Sequence, residues 1–164
     1  MYQVLDICRY VINYSNEKGY GISNLKLQKI LYFIQAYFLI NSNGKKPCFS
    51  ESIEAWDFGP VVPVAYREYK QYGSSNIPQI LSYIDYKEGN IWDAQRVAYD
   101  DGMILSVDKA MIKDVVDKFA DYSATDLVTL THNQRPWKSA YVPNKNHEIT
   151  LSDMWDYFNE EQTE

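Results

Sequence analysis

Two histidines, His132 and His147, are the side chains of this sequence best suited to acid–base or metal chemistry near neutral pH. They lie fifteen residues apart, and no cysteine lies near either of them. Together with a carboxylate they could form a mononuclear metal site, and His132 could act as the base of a catalytic pair or triad assembled in space. The alternative for His132 is a partly buried ring that hydrogen-bonds to backbone where a helix ends, and the sequence favours this structural alternative.

Glu54 and Asp57 are a second candidate for acid–base chemistry. Their three-residue spacing in an extended segment directs the two carboxylates to opposite faces, so they would not converge on one substrate. Lys26 and Lys29 share a helix face, but two lysines do not form a nucleic-acid groove. We expect both lysines to be solvated, or to cover apolar surface with their stems.

Motifs of the common enzyme classes are absent from the sequence, which contains no GxSxG, GxxxxGK or HExxH. We therefore predict no catalytic residue, no cofactor and no metal, and we expect that the protein is not an enzyme. Fifteen tyrosines and four tryptophans exceed what a core of this size requires, and such side chains anchor protein interfaces. Four charged residues around one aromatic stretch are a candidate recognition rim: Glu54, Asp57, Arg67 and Lys70.

The composition predicts one globular domain over 1–164, because a chain of 164 residues can bury a sizeable core. The net charge of −6 argues against nucleic-acid binding by this chain alone, since such binding needs a basic face. The N-terminus lacks the layout of a signal peptide, and the apolar run 30–40, interrupted by Gln35, is too short for membrane insertion. Cys8 and Cys48 do not suggest a disulfide scaffold, so we expect a cytoplasmic protein.

A central helix is predicted over 23–41, where apolar residues cover most of the circumference. Ser23 is suited to cap its first turn. Gln28 and Gln35 lie seven residues apart on one face, and a buried amide without a partner is costly. We therefore expect the two glutamines to bind the backbone of nearby loops. An earlier helix is indicated by an apolar stripe between Val4 and Tyr14.

The stretch "SIEAWDFGPVVPVAYREYKQYG" predicts an extended piece, a turn and a helix. Apolar and polar residues alternate loosely near 52–58, as in a short extended or β segment. Gly59-Pro60 forms the turn, and Pro63 suits the first turn of a helix that carries Tyr66 on one face. A positive φ is expected at Gly59, where a side chain would destabilise the fold.

The second half of the chain predicts shorter elements. Turn signals make 74–103 an irregular insertion. Ser106 is expected to cap a helix that extends to Tyr122. "SATD" at 123–126 has the spacing of a capping box, and the helix that follows should end at 135–136, an Arg-Pro pair.

"TLSD" at 150–153 is a further cap, and the acidic residues 160–164 are expected to fray. Together these patterns predict a mainly α fold. We expect a single compact helical domain of about six helices around the central helix 23–41, with one short extended or β segment near 52–58.

Three stretches follow one another in a specific combination: "LKLQKILYFIQAYFL", "IEAWDFGPVVPVAYREYKQYG" and "SATDLVTLTHNQRPWKSAY". The combination resembles the Panacea domain, also called the SocA-like antitoxin domain or phage-associated GepA-like domain. The similarity covers 5–73 and 104–158, with a variable stretch at 74–103. The residues that match the family motif are structural or partner-binding, and the resemblance does not separate the two roles: Lys26, Gln28, Lys29, Tyr32, Gln35, Glu54, Trp56, Gly59, Pro60, Pro63, Tyr66, Thr131, His132, Pro136 and Trp137.

The resemblance implies a helical antitoxin that neutralises a cognate protein toxin by direct binding. The toxin would be encoded next to it, in a pair associated with a phage or another mobile element, and the domain would hold no catalytic residue. This chain has Ala140-Tyr141 where many relatives have Ala-Arg, so no role of that arginine carries over. Two alternative functions stay open: a small hydrolase-like enzyme using His132, and a transcriptional regulator that acts with a partner. Assembly into a homo-oligomer stays open as well.

Overall fold

The computed structural model describes residues 1–86 and 89–162 and, within them, seven α-helices and five short β-strands. The predicted mainly α class is confirmed, with seven helices where about six were expected. The helices are α1 (Val4–Lys18), α2 (Asn24–Asn41), α3 (Pro63–Tyr69), α4 (Ser106–Lys118), α5 (Ala124–His132), α6 (Arg135–Ala140) and α7 (Leu151–Glu161). The strands are β1 (Ile53–Trp56), β2 (Gly59–Val61), β3 (Ser82–Tyr86), β4 (Ala94–Ala98) and β5 (Glu148–Ile149).

Helix α2 packs against α1, α3, α4, α5, α7 and strand β2. Fourteen of its eighteen residues are buried, so it lacks the broad solvent-facing side of a surface helix. Its apolar side chains join the hydrophobic core. Its buried polar side chains need partners inside the protein, because burial removes them from water. They are Asn24, Lys26, Gln28, Lys29 and Gln35.

Local capping signals explain where two of the helices begin. The Ser23 side chain accepts a hydrogen bond from a first-turn amide of α2, and Ser123 forms the predicted capping box of α5. The prediction for α4 is wrong at both ends. Leu105 holds the cap position and Ser106 is already helical, while the helix ends four residues before the predicted Tyr122.

Strands β2, β1 and β5 form a small antiparallel sheet, in that order. The extended segment predicted near 52–58 is thus confirmed as β1 and the turn that follows it. Along β1, Ile53 and Ala55 are buried, whereas Glu54 and Trp56 are half-buried. This alternation means that the sheet packs one face on the core and presents the other toward solvent.

A β-hairpin of β3 and β4 lies within 74–103, so the prediction of an irregular segment is wrong for these residues. The two strands pair only with each other over the described residues. Their base is attached to α1, because the Asn13 side chain donates to Ile80 O at 2.9 Å and accepts from Ile80 N at 2.7 Å. The Arg9 guanidinium also lies 3.4 Å from the centre of the Tyr83 ring.

Helix α6 is an element that the sequence reasoning missed. The preceding helix does end before the Arg-Pro pair, at His132, in keeping with the prediction. Pro136, however, lies in the first turn of a new helix, where its missing N–H is not needed. The same proline that disfavours continuation of α5 is therefore compatible with the start of α6.

Helix α7 begins at a cap formed by Thr150, whose side chain accepts from Asp153 N. It continues to Glu161, and Arg135 forms an ion pair with Glu160 at 2.9 Å. The helix thus includes the first two residues of 160–164, whose fraying stays a prediction, and residues 163 and 164 lie outside the described ranges. Over residues 1–86 and 89–162, no helix is long and apolar enough to cross a membrane.

Candidate functional site

Gln28 and Gln35 of α2 bind the backbone of two loops, as predicted. Gln35 Oε1 accepts from Cys48 N at 2.8 Å, and its Nε2 donates to Phe49 O at 2.9 Å. Gln28 Oε1 accepts from Val62 N at 2.9 Å. Because both amides are buried and bonded, they fix the positions of the two loops relative to the central helix.

Lys29 is fully buried, so the expectation that it is solvated is wrong. Its ammonium nitrogen donates to Pro60 O at 3.0 Å. Burial lowers the pKa of Lys29 to about 7, because the interior disfavours the charged form. Lys26 is buried as well and donates to Ala120 O at 3.0 Å, next to the C-terminal end of α4. Both lysines therefore tie α2 to other segments of the backbone.

Gly59 has a φ of +99°, which confirms the predicted positive φ. A Cβ atom at this position would lie 2.8 Å from Lys29 Cε and 2.8 Å from Thr131 Oγ1. The Thr131 hydroxyl is itself bonded, donating to Leu127 O at 2.9 Å. Glycine is thus needed here for two reasons, the backbone conformation and the close approach of α2 and α5.

His132, Trp137 and Tyr141 form a continuous aromatic stack, with ring centroids 4.0 Å and 4.4 Å apart. The middle ring and the Tyr141 end of the stack both bond to residues of the β1–β2 turn. Trp137 Nε1 donates to Trp56 O at 2.9 Å, and the Tyr141 hydroxyl donates to Asp57 Oδ1 at 2.7 Å. This stack supports the turn from the side of α5 and α6.

The pKa of His132 is lowered mainly by burial, although a hydrogen bond with the backbone of Asp57 acts in the opposite direction. This placement, at the last residue of α5, matches the structural interpretation of His132. Among the described residues, no group of three histidine, cysteine or acidic side chains could hold a metal ion. His132 and His147 are therefore not brought together with a third ligand there.

Three aromatic side chains remain open to solvent around the same turn. The rings of Trp56 and Tyr66 meet edge to face with centroids 5.0 Å apart, and Trp56 Nε1 donates to Glu54 Oε2 at 2.7 Å. Phe58 lies at the tip of the turn and is 67% exposed. They line a groove of about 660 Å³, here called the Trp56 groove, together with Lys70 and other residues.

The motif residues thus fall into two groups. One group is buried and holds the frame together: Lys26, Gln28, Lys29, Tyr32, Gln35, Gly59, Pro60, Thr131, Pro136 and Trp137. The other group has a side chain at least partly open to solvent: Glu54, Trp56, Pro63, Tyr66 and His132. Sequence reasoning did not single out Tyr141, because its bond to Asp57 joins residues eighty-four positions apart.

Comparisons with known proteins identify similar sequences. A family model described as "Antitoxin SocA-like, Panacea domain" matches residues 27–138. "Antitoxin SocA" of Caulobacter vibrioides is 46% identical over 56 residues, which are 34% of this chain and 29% of that protein. The chain therefore aligns with less than a third of the length of this curated relative. No solved structure matches the chain.

Proposed function

Because the chain belongs to the family of SocA-like antitoxins with a Panacea domain, we propose that it is an antitoxin that neutralises a protein toxin by binding it directly. The toxin is the product of a neighbouring gene, and the pair is associated with a phage or another mobile element. The location proposed is the cytoplasm, which agrees with two free and buried cysteines, Cys8 and Cys48. The proposal includes no covalent chemistry.

The observation that supports the proposal most is the division of the motif residues between a buried frame and an exposed aromatic surface. Side chains of α2 bind Pro60 O and Val62 N, and the ring stack of α5 and α6 supports the preceding turn. The result is a turn whose backbone is held from both sides. Because the turn is already ordered, little conformational entropy is lost when a partner binds it, and this favours affinity.

The exposed part of the Trp56 groove has the composition of an interface centre. Phe58, Trp56 and Tyr66 are large aromatic side chains of the kind that dominate binding energies. Asp57 and Lys70, two of the four residues predicted as a recognition rim, also line the groove, and Arg67 is exposed on the same helix as Tyr66. We propose that the toxin covers this groove and that the aromatic side chains anchor it.

Growth of cells that express the neighbouring gene tests the proposal. Co-expression of the wild-type chain should restore growth, and the double variant Phe58→Ser with Tyr66→Ala should not restore it. Each truncation of an anchor side chain is expected to weaken toxin binding by at least about tenfold, the effect of 1.4 kcal/mol or more. The variants must first show wild-type circular dichroism and melting.

Trp92→Ser is the matched control, because Trp92 is 92% exposed but lies in the hairpin region outside the Trp56 groove. It should rescue growth as well as the wild type. A neighbouring gene product that is not toxic, or whose toxicity is unchanged by the wild-type chain, would contradict the antitoxin function. If Trp92→Ser fails to rescue growth while the double variant rescues it, the proposed binding face is contradicted.

The two alternatives from the sequence receive no support from the described residues. His132, the base of the hydrolase-like alternative, packs on Trp137 and hydrogen-bonds to the backbone of Asp57. The net charge of −6 disfavours nucleic-acid binding by this chain alone, so the regulator alternative requires a partner that supplies the basic surface.

A further inference from the structure

A second groove runs along the outer edge of the β3–β4 hairpin. Its volume is about 680 Å³, and its walls include four consecutive residues of β3 but none of β4: Tyr83, Ile84, Asp85 and Tyr86. Because neighbouring residues of a strand point to opposite faces, a groove lined by all four follows the edge of β3 that is turned away from β4. The N-terminal residues, α1, α3 and Met103 complete the lining. This surface, here called the β3 groove, shares no lining residue with the Trp56 groove.

The register of the hairpin leaves backbone groups of β3 open along this edge. Tyr99 N donates to Leu81 O at 2.9 Å across the base of the hairpin, so these two residues form a hydrogen-bonded pair. In an antiparallel ladder such pairs alternate with pairs whose N–H and C=O groups point outward. The residues of β3 that belong to the outward kind are Ser82, Ile84 and Tyr86. No described residue bonds to their outward N–H or C=O groups.

An open strand edge of this kind can pair with a further strand. A two-stranded hairpin is only marginally stable by itself, and a third strand would complete its hydrogen bonding. Strand β3 has the sequence SYIDY, without the proline or lysine with which many proteins protect an edge, and its one charged residue is Asp85. An extended peptide lying in the β3 groove can therefore bind by β-strand addition, in which backbone hydrogen bonds supply the affinity.

The charges along the β3 groove favour a basic segment. Three carboxylates, Asp6, Glu68 and Asp85, line it against one cationic side chain, Arg9. Arg9 is already bonded to Asp6 at 2.8 Å, whereas Glu68 and Asp85 are exposed and form no ion pair with a described residue. Opposite charges across an interface speed association and fix its register, so lysine or arginine near these two carboxylates is favoured.

The two faces of β3 favour different side chains in the added strand. Asp85 lies on the same face as Tyr83, whereas Ile84 and Tyr86 lie on the other face and are 39% and 52% exposed. Side chains of the added strand that pack beside Ile84 and Tyr86 should be apolar, and those that alternate with them should be basic.

We propose that the β3 groove binds an extended segment of a partner protein in which basic and apolar residues alternate, and that this segment pairs with β3 as a third strand. The proposal does not depend on the antitoxin function, because the β3 groove is separate from the Trp56 groove.

Binding of fluorescently labelled synthetic peptides to the full chain tests the proposal. The probe is a seven-residue peptide of alternating lysine and valine, which should bind one site per chain, and more weakly as salt rises, because exposed charges are screened. The acidic analogue, with glutamate in place of lysine, should bind at least about tenfold more weakly. Two further analogues are methylated on the backbone nitrogens of the valines or of the lysines. Only one of the two should lose binding, because only one edge of an added strand faces β3.

Ile84→Pro removes an N–H that points away from β4, so the hairpin should keep its own hydrogen bonds. It should weaken binding of the probe at least about fivefold, the effect of one net hydrogen bond. Ala98→Pro is the matched control, because its N–H points outward from the opposite edge, and it should bind the probe like the wild type. Circular dichroism and melting must show that both variants fold. In the wild type, the probe should slow hydrogen exchange of the Ile84 and Tyr86 amides.

The proposal is overturned if the basic probe does not bind, if the acidic analogue binds equally well, or if both methylated analogues bind like the parent peptide. Unchanged exchange at Ile84 and Tyr86 in the presence of bound probe would overturn it as well. Sedimentation of the full chain alone tests the other occupant of this edge. A dimer that Ile84→Pro abolishes would show that a second copy, and not a basic segment of a partner, pairs with β3.

Discussion

Lys29 shows how a residue that is charged in water can be part of a protein core. Its partner, Pro60 O, follows thirty-one residues later, so no local pattern in the sequence could reveal the contact. The helix periodicity indicated only that Lys29 and Lys26 share a face, and solvation was the simpler interpretation. The structure instead gives each lysine a backbone carbonyl as partner. Side-chain exposure at such a motif position depends on tertiary contacts.

Lys29 predicts a pH dependence of stability. Its pKa is lowered to about 7 in the folded protein, against about 10.4 in the unfolded chain, so the unfolded state binds more protons above pH 7. The stability contribution of Lys29 is therefore lowest below pH 7 and rises with pH. Between pH 7 and 8 the wild type should gain about 1 kcal/mol of unfolding free energy relative to Lys29→Met.

Urea denaturation of both proteins at pH 7.0, 7.5 and 8.0, about the range in which the cysteines stay protonated, measures this difference. Lys29→Met is the reference because it has no titrating group at this position, so the change with pH of the difference between the two proteins reports Lys29. Parallel pH profiles of the two proteins would contradict the lowered pKa.

Tyr32 carries a fully buried hydroxyl without a hydrogen-bond partner. Tyr32→Phe should therefore keep or increase the free energy of unfolding, by up to about 2 kcal/mol, since it removes only the unsatisfied group. Tyr14→Phe is the control, because the Tyr14 hydroxyl donates to Asp117 Oδ2 at 2.9 Å, and it should lose about 1 kcal/mol. Chemical denaturation compares the two, and a clear loss in Tyr32→Phe would show that this hydroxyl is bonded.

Strand β2 illustrates how one element is completed by another. It lies at the edge of its sheet, where backbone groups would otherwise be open to pairing with another chain. Lys29 and Gln28 of α2 bind Pro60 O and Val62 N, and so take the place of a neighbouring strand. The motif lysine and glutamine of the central helix therefore have a shared structural purpose.

Elements were predictable where their signals are local and were missed where they are not. The caps at Ser23 and Ser123 are visible because each side chain bonds within its own first turn. The hairpin of β3 and β4 was missed, since its base is attached through Asn13 to Ile80, sixty-seven residues away.

A side chain at Gly59 should strongly destabilise the β1–β2 turn and its packing on α2 and α5. Gly59→Ala combines a positive φ with contacts of 2.8 Å to Lys29 and Thr131. Gly19→Ala is the control, because Gly19 also has a positive φ, +70°, but its Cβ would meet nothing within 4 Å. We expect the control to lose about 1–2 kcal/mol from backbone strain alone. Gly59→Ala should lose at least about 1 kcal/mol more, and equal losses in thermal or urea unfolding would contradict the close packing.

At the scale of the whole molecule, most residues of the family motif belong to the buried group that holds the frame together. The resemblance in sequence included Gln28, Trp56 and Tyr66 of the Trp56 groove but not Phe58, and it did not show which of them face solvent. That distinction depends on the packing of Trp137 against the β1–β2 turn, which brings together segments far apart in the chain. The hairpin of β3 and β4 lies outside the Trp56 groove.

Hydrogen exchange of the purified chain with and without its neighbouring-gene product tests direct binding most directly. We expect a stable complex in which the amides of Asp57, Phe58, Gly59 and Val61 and those of α3 exchange more slowly, while those of β4 in the hairpin are unchanged. Trp56 groove variants with an intact fold should lose this protection. If no complex forms, or if protection from exchange is confined to the hairpin, the claim that a toxin binds at the Trp56 groove is contradicted.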